Sequence, residues 1–355
     1  DLYFWTIRRR IRYDILNQGG HNMSRRLFLA IALLSALCLA LPAAAADKPI
    51  ELKLSTAVPA TSHWHIGAEA FVKMVEERTG GRYKIRIFSN DELSGGNQVV
   101  GIQMLQQGVI DLHMHDALLW SNFNAKLAIP AFPFLLASFA EVDAVMEGKG
   151  GEALRDLVSK SGAVCLGIGE SGHRQIVNKK HPIEKPEDLK GLKLRVPGIA
   201  MYVDLFKVLG ADPIAMNQSE VYTSLQQGAI DGSENTLDLL ITQNTLEVVK
   251  YITLWNYSYD PVIFTASEKL WSTLSDEDKE IFLAAGKEAM AIQKAAKREL
   301  DAQFIEKVKK DYGLEVTELT DEQIKAFKDA AAPIYEQYRE AIGTELFEIY
   351  GHSFK

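Results

Sequence analysis

Two His-x-His pairs, His63/His65 and His113/His115, with Asp116 adjoining the second, are the clearest chemistry-bearing spacings in the chain. In an extended strand residues i and i+2 share a face, so His113 and His115 supply half of a tetrahedral metal site. No cysteine cluster or third carboxylate at ligand spacing completes the set, so a metal-binding protein or hydrolase built on His113, His115 and Asp116 stands as the rival reading. Gly167-Ile168-Gly169-Glu170-Ser171-Gly172 fits G-x-G-x-x-G and follows an apolar run. A dinucleotide site needs a helix to start there, so that its amides face a pyrophosphate. The residues from His173 to Pro182 read as extended instead, and the glycines are expected to form a turn between two lobes. There is no G-x-S-x-G elbow and no H-E-x-x-H. No enzyme activity and no cofactor are expected.

The elements around these residues alternate. Glu51–Ser55, Tyr83–Phe88 and Asp111–His115 carry strand patterns, and Ile66–Glu77 and Gln98–Gln107 carry helical ones. Ala163–Gly169, Leu192–Val196 and Val262–Ala266 continue the strands; Met201–Leu209 and Ser219–Gln227 continue the helices. This alternation predicts an α/β fold. Ser275 and Asp278 open a long helix whose apolar positions (Phe282, Ala285, Ala289, Leu300, Phe304, Val308) persist to Gly313. At 1.5 Å per residue it reaches roughly 55 Å, long enough to cross both lobes. Thr320 and Gln323 cap a last helical segment containing Pro333.

The 355 residues carry 39 Lys+Arg against 47 Asp+Glu, a net charge of −8 that argues against nucleic-acid binding. Met23 opens a secretory pattern: Ser24-Arg25-Arg26, an apolar run from Leu27 to Leu41, then Pro42 and Ala43–Ala46. The run is too short to span a bilayer. Its leucine-rich core reads as a Sec signal, and Ser24–Leu29 also resembles the twin-arginine motif. Residues 1–22 are read as a non-native or upstream extension and 23–46 as a signal peptide. Residues 47–355 hold 33 basic and 45 acidic side chains, net −12. Cys165 is the only thiol besides Cys38. A soluble, exported, acidic protein is expected, not itself embedded in a membrane.

One stretch is unusually dense in motifs. Gly172-His173-Arg174 precedes Pro182-Ile183 and Pro186-Glu187-Asp188-Leu189-Lys190-Gly191-Leu192-Lys193-Leu194-Arg195-Val196-Pro197. Leu209-Gly210-Ala211-Asp212-Pro213, Ser219-Glu220-Val221-Tyr222 and Asp231-Gly232-Ser233-Glu234-Asn235 follow. In this order and spacing the series resembles the DctP-type solute-binding proteins of tripartite ATP-independent periplasmic (TRAP) transporters. The likeness runs through Pro133-Phe134-Leu135 and Trp271-Ser272-Thr273-Leu274.

The resemblance implies a two-lobed Venus-flytrap fold with the long helix shared by both lobes. Lobe I takes 47–171 plus 261–300; lobe II and the C-terminal helices take 172–260 plus 301–355. It implies a periplasmic, monomeric protein that captures a small organic acid and passes it to membrane permease subunits. Arg195, in the R-V-P motif, is the expected partner of the substrate carboxylate, Arg174 assists, and Asn235 supports the same end. A guanidinium's planar fork matches the two carboxylate oxygens. Gln218 replaces an aromatic that often precedes S-E-V-Y, making that wall more polar. Asp116 falls near a position where some members carry a pocket acid, and Trp64, His65 and Trp120 are further candidates for the first lobe's wall. A hydroxylated ligand suits these groups, so a sugar acid such as a uronate or aldonate is expected first and a C4-dicarboxylate second.

Overall fold

The computed structural model describes residues 48–354; the expected leader at 23–46, the extension before it and Cys38 lie outside them. The strands are β1 (Ile50–Thr56), β2 (Tyr83–Phe88), β3 (Leu112–Asp116), β4 (Ala163–Asn178), β5 (Lys193–Val196), β6 (Asp212–Ala215), β7 (Gly232–Thr236), β8 (Tyr251–Leu254), β9 (Tyr259–Ser267) and β10 (Glu315–Glu318). Their order is β2-β1-β3-β9-β4-β7-β5-β6, with β8 joined to β4 and β10. β1 is parallel to β2 and β3, and β5 to β6 and β7. Such parallel pairs require crossovers, here largely helical, which is the α/β architecture the alternation predicts.

β4 belongs to two sheets. Its first part, Ala163–His173, pairs antiparallel with β9, and its last part, Arg174–Asn178, pairs with β7. The G-x-G-x-x-G run lies inside this strand, so the expected turn is not formed. The irregularity shows instead as register shifts between Cys165 and Gly167 and between Glu170 and Gly172.

The long helix, Asp276–Lys307, has 32 residues and is roughly 48 Å long. A five-residue π turn, Val308–Tyr312, then carries it to Gly313, whose φ of 64° ends it. Ser275 Oγ caps the start by accepting from Asp278 N at 3.1 Å. Phe282, Ala285 and Ala289 enter one core with Leu54, Phe71 and Phe264, whereas Phe304 and Val308 enter another with Val177, Leu225 and Ile252. The helix therefore crosses both lobes. At the last helical segment the sequence pattern merges two elements: Asp321–Ala331, capped by Thr320, and Pro333–Ile342, which Pro333 opens at a position needing no amide hydrogen.

Helix and strand touch where side chains are missing. A Cβ on Gly286 would lie 2.7 Å from Leu166 O, and one on Gly169 would lie 2.2 Å from Gln293 Oε1. That closeness lets the Gln293 carboxamide clip the β4 main chain, accepting from Glu170 N at 2.9 Å and donating to Glu170 O at 2.7 Å. Gly286→Leu should break this contact. Overpacking costs about 1–3 kcal/mol, so urea unfolding should show a loss in that range; an unchanged midpoint would mean that the approach is not needed.

Candidate functional site

β5 alternates, with Leu194 and Val196 entering the apolar core and Arg195 on the opposite face. Arg195 is 1% exposed. Its Nε and Nη2 donate to Met216 O at 3.1 and 2.9 Å, which fixes the guanidinium plane. No carboxylate lies within ion-pair distance of it among the described residues. Burial pulls its pKa down to about 10, with the Glu234 charge opposing and the Arg174 charge adding to the effect. At neutral pH it is still a cation, buried and without a counter-ion.

Arg174, the first β4 residue paired with β7, is placed differently. Its Nε reaches Glu234 Oε2 at 2.5 Å, Nη2 reaches Glu234 Oε1 at 3.0 Å, and Nη1 reaches Asp260 Oδ2 at 2.8 Å. Tyr257 donates its hydroxyl to the same Glu234 Oε2 at 2.6 Å. Arg174 lines the cavity described below, but two carboxylates from its own fold occupy most of its donors.

A third buried group continues from Asp260. Burial, then the Asp116 charge, push the Asp260 carboxyl well above the usual range. Burial would raise Asp116 as well, yet the neighbouring His115 imidazolium holds it below its ordinary value. His115 Nδ1 is 2.5 Å from Asp116 Oδ1. Burial opposes the His115 charge, but Asp116 and Asp91 raise its pKa to about 9. His113 stacks on His115 with centroids 5.5 Å apart, and Asp91 lies 3.8 Å from His113 Nε2 and 4.0 Å from His115 Nε2. Among the described residues no three His, Cys, Asp or Glu side chains are arranged to hold a metal ion. The pairing of His113 with His115 is real, but the metal reading lacks its site.

Amides bridge from this cluster to the second lobe. Gln98 Nε2 is 3.3 Å from His115 Nε2, and Gln98 Oε1 accepts from Gln218 N at 3.3 Å. Asn235 Nδ2 donates to Gln218 Oε1 at 2.9 Å, and its own Oδ1 accepts from Thr236 N at 2.8 Å.

Trp64, Asp116, Arg174, Arg195, Gln218 and Asn235 line one cavity. The fold therefore brings together every predicted site residue except His65 and Trp120. His65 follows Trp64 on the helix His63–Arg78, where consecutive side chains point apart; its Nε2 lies 3.5 Å from Glu69, and it is no part of the wall. Trp120 is packed against Phe123 in the core. Sequence reasoning missed Gln98, Pro197 and Leu239 on the wall. Pro197 follows Arg195 in the R-V-P motif and could have been found there; Gln98 and Leu239 carry no signal beyond their places at helix starts. Gln98 and Gln218 also border an outer cleft that reaches Asn90, Ser219, Tyr222 and Gln243.

Against known proteins, the model of bacterial extracellular solute-binding protein, family 7 (DctP), matches residues 54–341. The 2,3-diketo-L-gulonate-binding periplasmic protein of Escherichia coli is 32% identical over 270 residues, 76% of this chain and 81% of that one. A TRAP periplasmic solute-binding protein of Ralstonia eutropha with bound (S)-2-acetolactate is 33% identical, with a TM-score of 0.81, covering 85% of this chain and 98% of that one. One from a Polaromonas species, bound to D-erythronate, is 31% identical with a TM-score of 0.81, covering 86% and 100%.

A second link between the lobes lies beside the cavity. Ser62 caps the helix that carries Trp64, and its Oγ is 2.6 Å from Asp238 Oδ2 in the helix Leu237–Thr242 that follows β7. Burial raises the Asp238 pKa to about 6, against the lowering effect of the Ser62 hydrogen bond. The folded protein thus holds this proton more tightly than the unfolded chain does. The stability it contributes is full below about pH 4 and is lost as pH rises through about 6. Asp238→Asn removes that titration, so the variant should gain on the wild type in urea midpoint between pH 4 and 7. A gap that does not change with pH would refute the assignment.

Proposed function

The chain belongs to the bacterial extracellular solute-binding proteins of family 7, the DctP family, and from that membership we propose that it is the periplasmic receptor of a TRAP transporter. It captures a small organic acid between its lobes through an Arg195–carboxylate salt bridge and delivers it to membrane permease subunits. The observation that carries this reading is the buried Arg195 cation, whose only hydrogen-bond partner among the described residues is Met216 O. Two of its five N–H groups are used there, which leaves the Nη1 side of the fork for an incoming carboxylate. Asn235 and Gln218 stand beside it as neutral hydrogen-bonding groups, and Trp64 supplies a flat apolar wall.

A hydroxylated sugar acid is the ligand favoured first. Three observations support it: the Asp116 carboxylate on the wall, the polar Gln218 in place of an aromatic, and the oxygen-rich acids named for the similar proteins. A dicarboxylate is the second reading. Members of the family are solute-binding proteins, and this chain is read as a monomeric receptor without catalysis. Among the described residues no helix is long and apolar enough to cross a membrane, and export is ascribed to the signal pattern at 23–46. The lobes are assigned to 47–171 plus 261–300 and to 172–260 plus 301–355.

A thermal-shift panel of organic acids beside divalent metals tests the reading. A ligand at a hundredfold excess over Kd adds about 2.7 kcal/mol. Acids should raise the melting temperature and zinc should not; the reverse pattern would sink the proposal. Arg195→Met sharpens the test. It removes an uncompensated buried charge, so the acid-induced shift should vanish while the ligand-free unfolding midpoint does not fall. Loss of a desolvated charge partner costs roughly 2–5 kcal/mol in binding; unchanged affinity would remove Arg195 from its central role.

A further inference from the structure

We infer that the site accepts a single negative charge, so that its ligand is a hydroxylated monocarboxylate with an uncharged far end and not a dicarboxylate. This rests on the reading that Arg195 receives the first carboxylate.

The argument is an account of the charges facing the ligand. Two cations line the cavity, Arg195 and Arg174, and none lines the outer cleft. Arg174 is matched by the Glu234 carboxylate on one edge, and its Nη1 is taken up by Asp260. His115 is within contact of Asp116 and separated from the cavity by Gln98. Arg195 alone is left to receive an anion. The other charged groups nearby are acids, Asp116 on the cavity wall, paired with His115, and Asp91, 2% exposed, at the border of the outer cleft and near His113 and His115.

A second ligand carboxylate would therefore enter a buried site with no unpaired cation beyond Arg195 among the described residues and with the Asp116 carboxylate on its wall. Burying an unpaired charge is strongly unfavourable, and like charges add to that. A hydroxyl has the opposite fate. An ionised Asp116 can only accept hydrogen bonds, so it calls for an O–H on the ligand. Gln98, Gln218 and, farther out, Ser219 and Tyr222 offer both donors and acceptors to further hydroxyls.

Matched acids test this on the intact protein. D-erythronate and meso-tartrate differ only in a terminal CH2OH against a carboxylate, as do D-galactonate and galactarate. In calorimetric titrations at pH 7.5 whichever monoacid binds should do so at least about 50-fold more tightly than its diacid, as expected when like charges are juxtaposed. A diacid binding within about tenfold of its partner, or more tightly, overturns the inference and leaves the Arg195 reading intact. If neither member of either pair binds, the Arg195 reading fails and the inference fails with it. Asp116→Asn removes the repelling charge and should narrow the gap within a pair; an unchanged gap would take Asp116 out of the selection. Should that variant not fold, the wild-type ratio decides alone.

Discussion

A guanidinium buried without a counter-ion is the constraint on which the rest of this structure turns. Removing a charge from water costs several kcal/mol unless a partner restores what hydration supplied. Arg195 regains only part of that, from one main-chain carbonyl. The remainder is a standing cost that the surrounding fold must carry, and a bound anion would relieve it. Arg174, the other cation on the cavity wall, shows the alternative: a bidentate carboxylate, a second acid and a main-chain carbonyl surround it. Its compensation also matters to Arg195, because an unneutralised Arg174 would weaken that charge further by repulsion.

Holding such a site requires two lobes in register. Trp64, Gln98 and Asp116 come from the lobe built on β1–β3, and Arg195, Gln218 and Asn235 from the lobe built on β5–β7. β4 runs through both sheets and the long helix through both cores. The Gln293 clip and the glycine contacts bind those two elements to one another, a few residues before β4 changes partners at Arg174.

Much of this was legible in the sequence. Alternating patterns locate β1, β2, β3 and β5, and helical spacing traces the long helix to Gly313. Five wall residues beyond Arg174 (Arg195, Asn235, Asp116, Gln218 and Trp64) follow from motif resemblance, with the chemistry of a carboxylate as support. What failed did so for physical reasons. β7 reads Gly-Ser-Glu-Asn-Thr and is wholly buried, so hydrophobic pattern misses it; strands that serve a site break the rule that interiors are apolar. The role of Arg174 depends on Glu234 and Asp260, which are 60 and 86 residues away, a separation no local spacing reveals. His65 misleads because it adjoins Trp64, which does reach the wall, whereas consecutive side chains of the helix that begins at His63 point apart.

The charge of the chain bears on the same point. Residues 47–355 are net negative by 12, the wrong sign to attract an anion. Surface charges, however, are screened beyond about 8 Å at physiological ionic strength, while a charge in a dry cleft is screened far less. An anion at the surface therefore feels little of the total, and once inside it feels Arg195 strongly. The acids that matter are the few within the cleft, and the fold has matched Glu234 to Arg174 and Asp116 to His115. Arg195 remains the one cation on the wall with no such match among the described residues. Overall acidity and anion capture are thus compatible because they operate in different dielectric surroundings. Selectivity follows from how closely the interior charges cancel, not from how many there are.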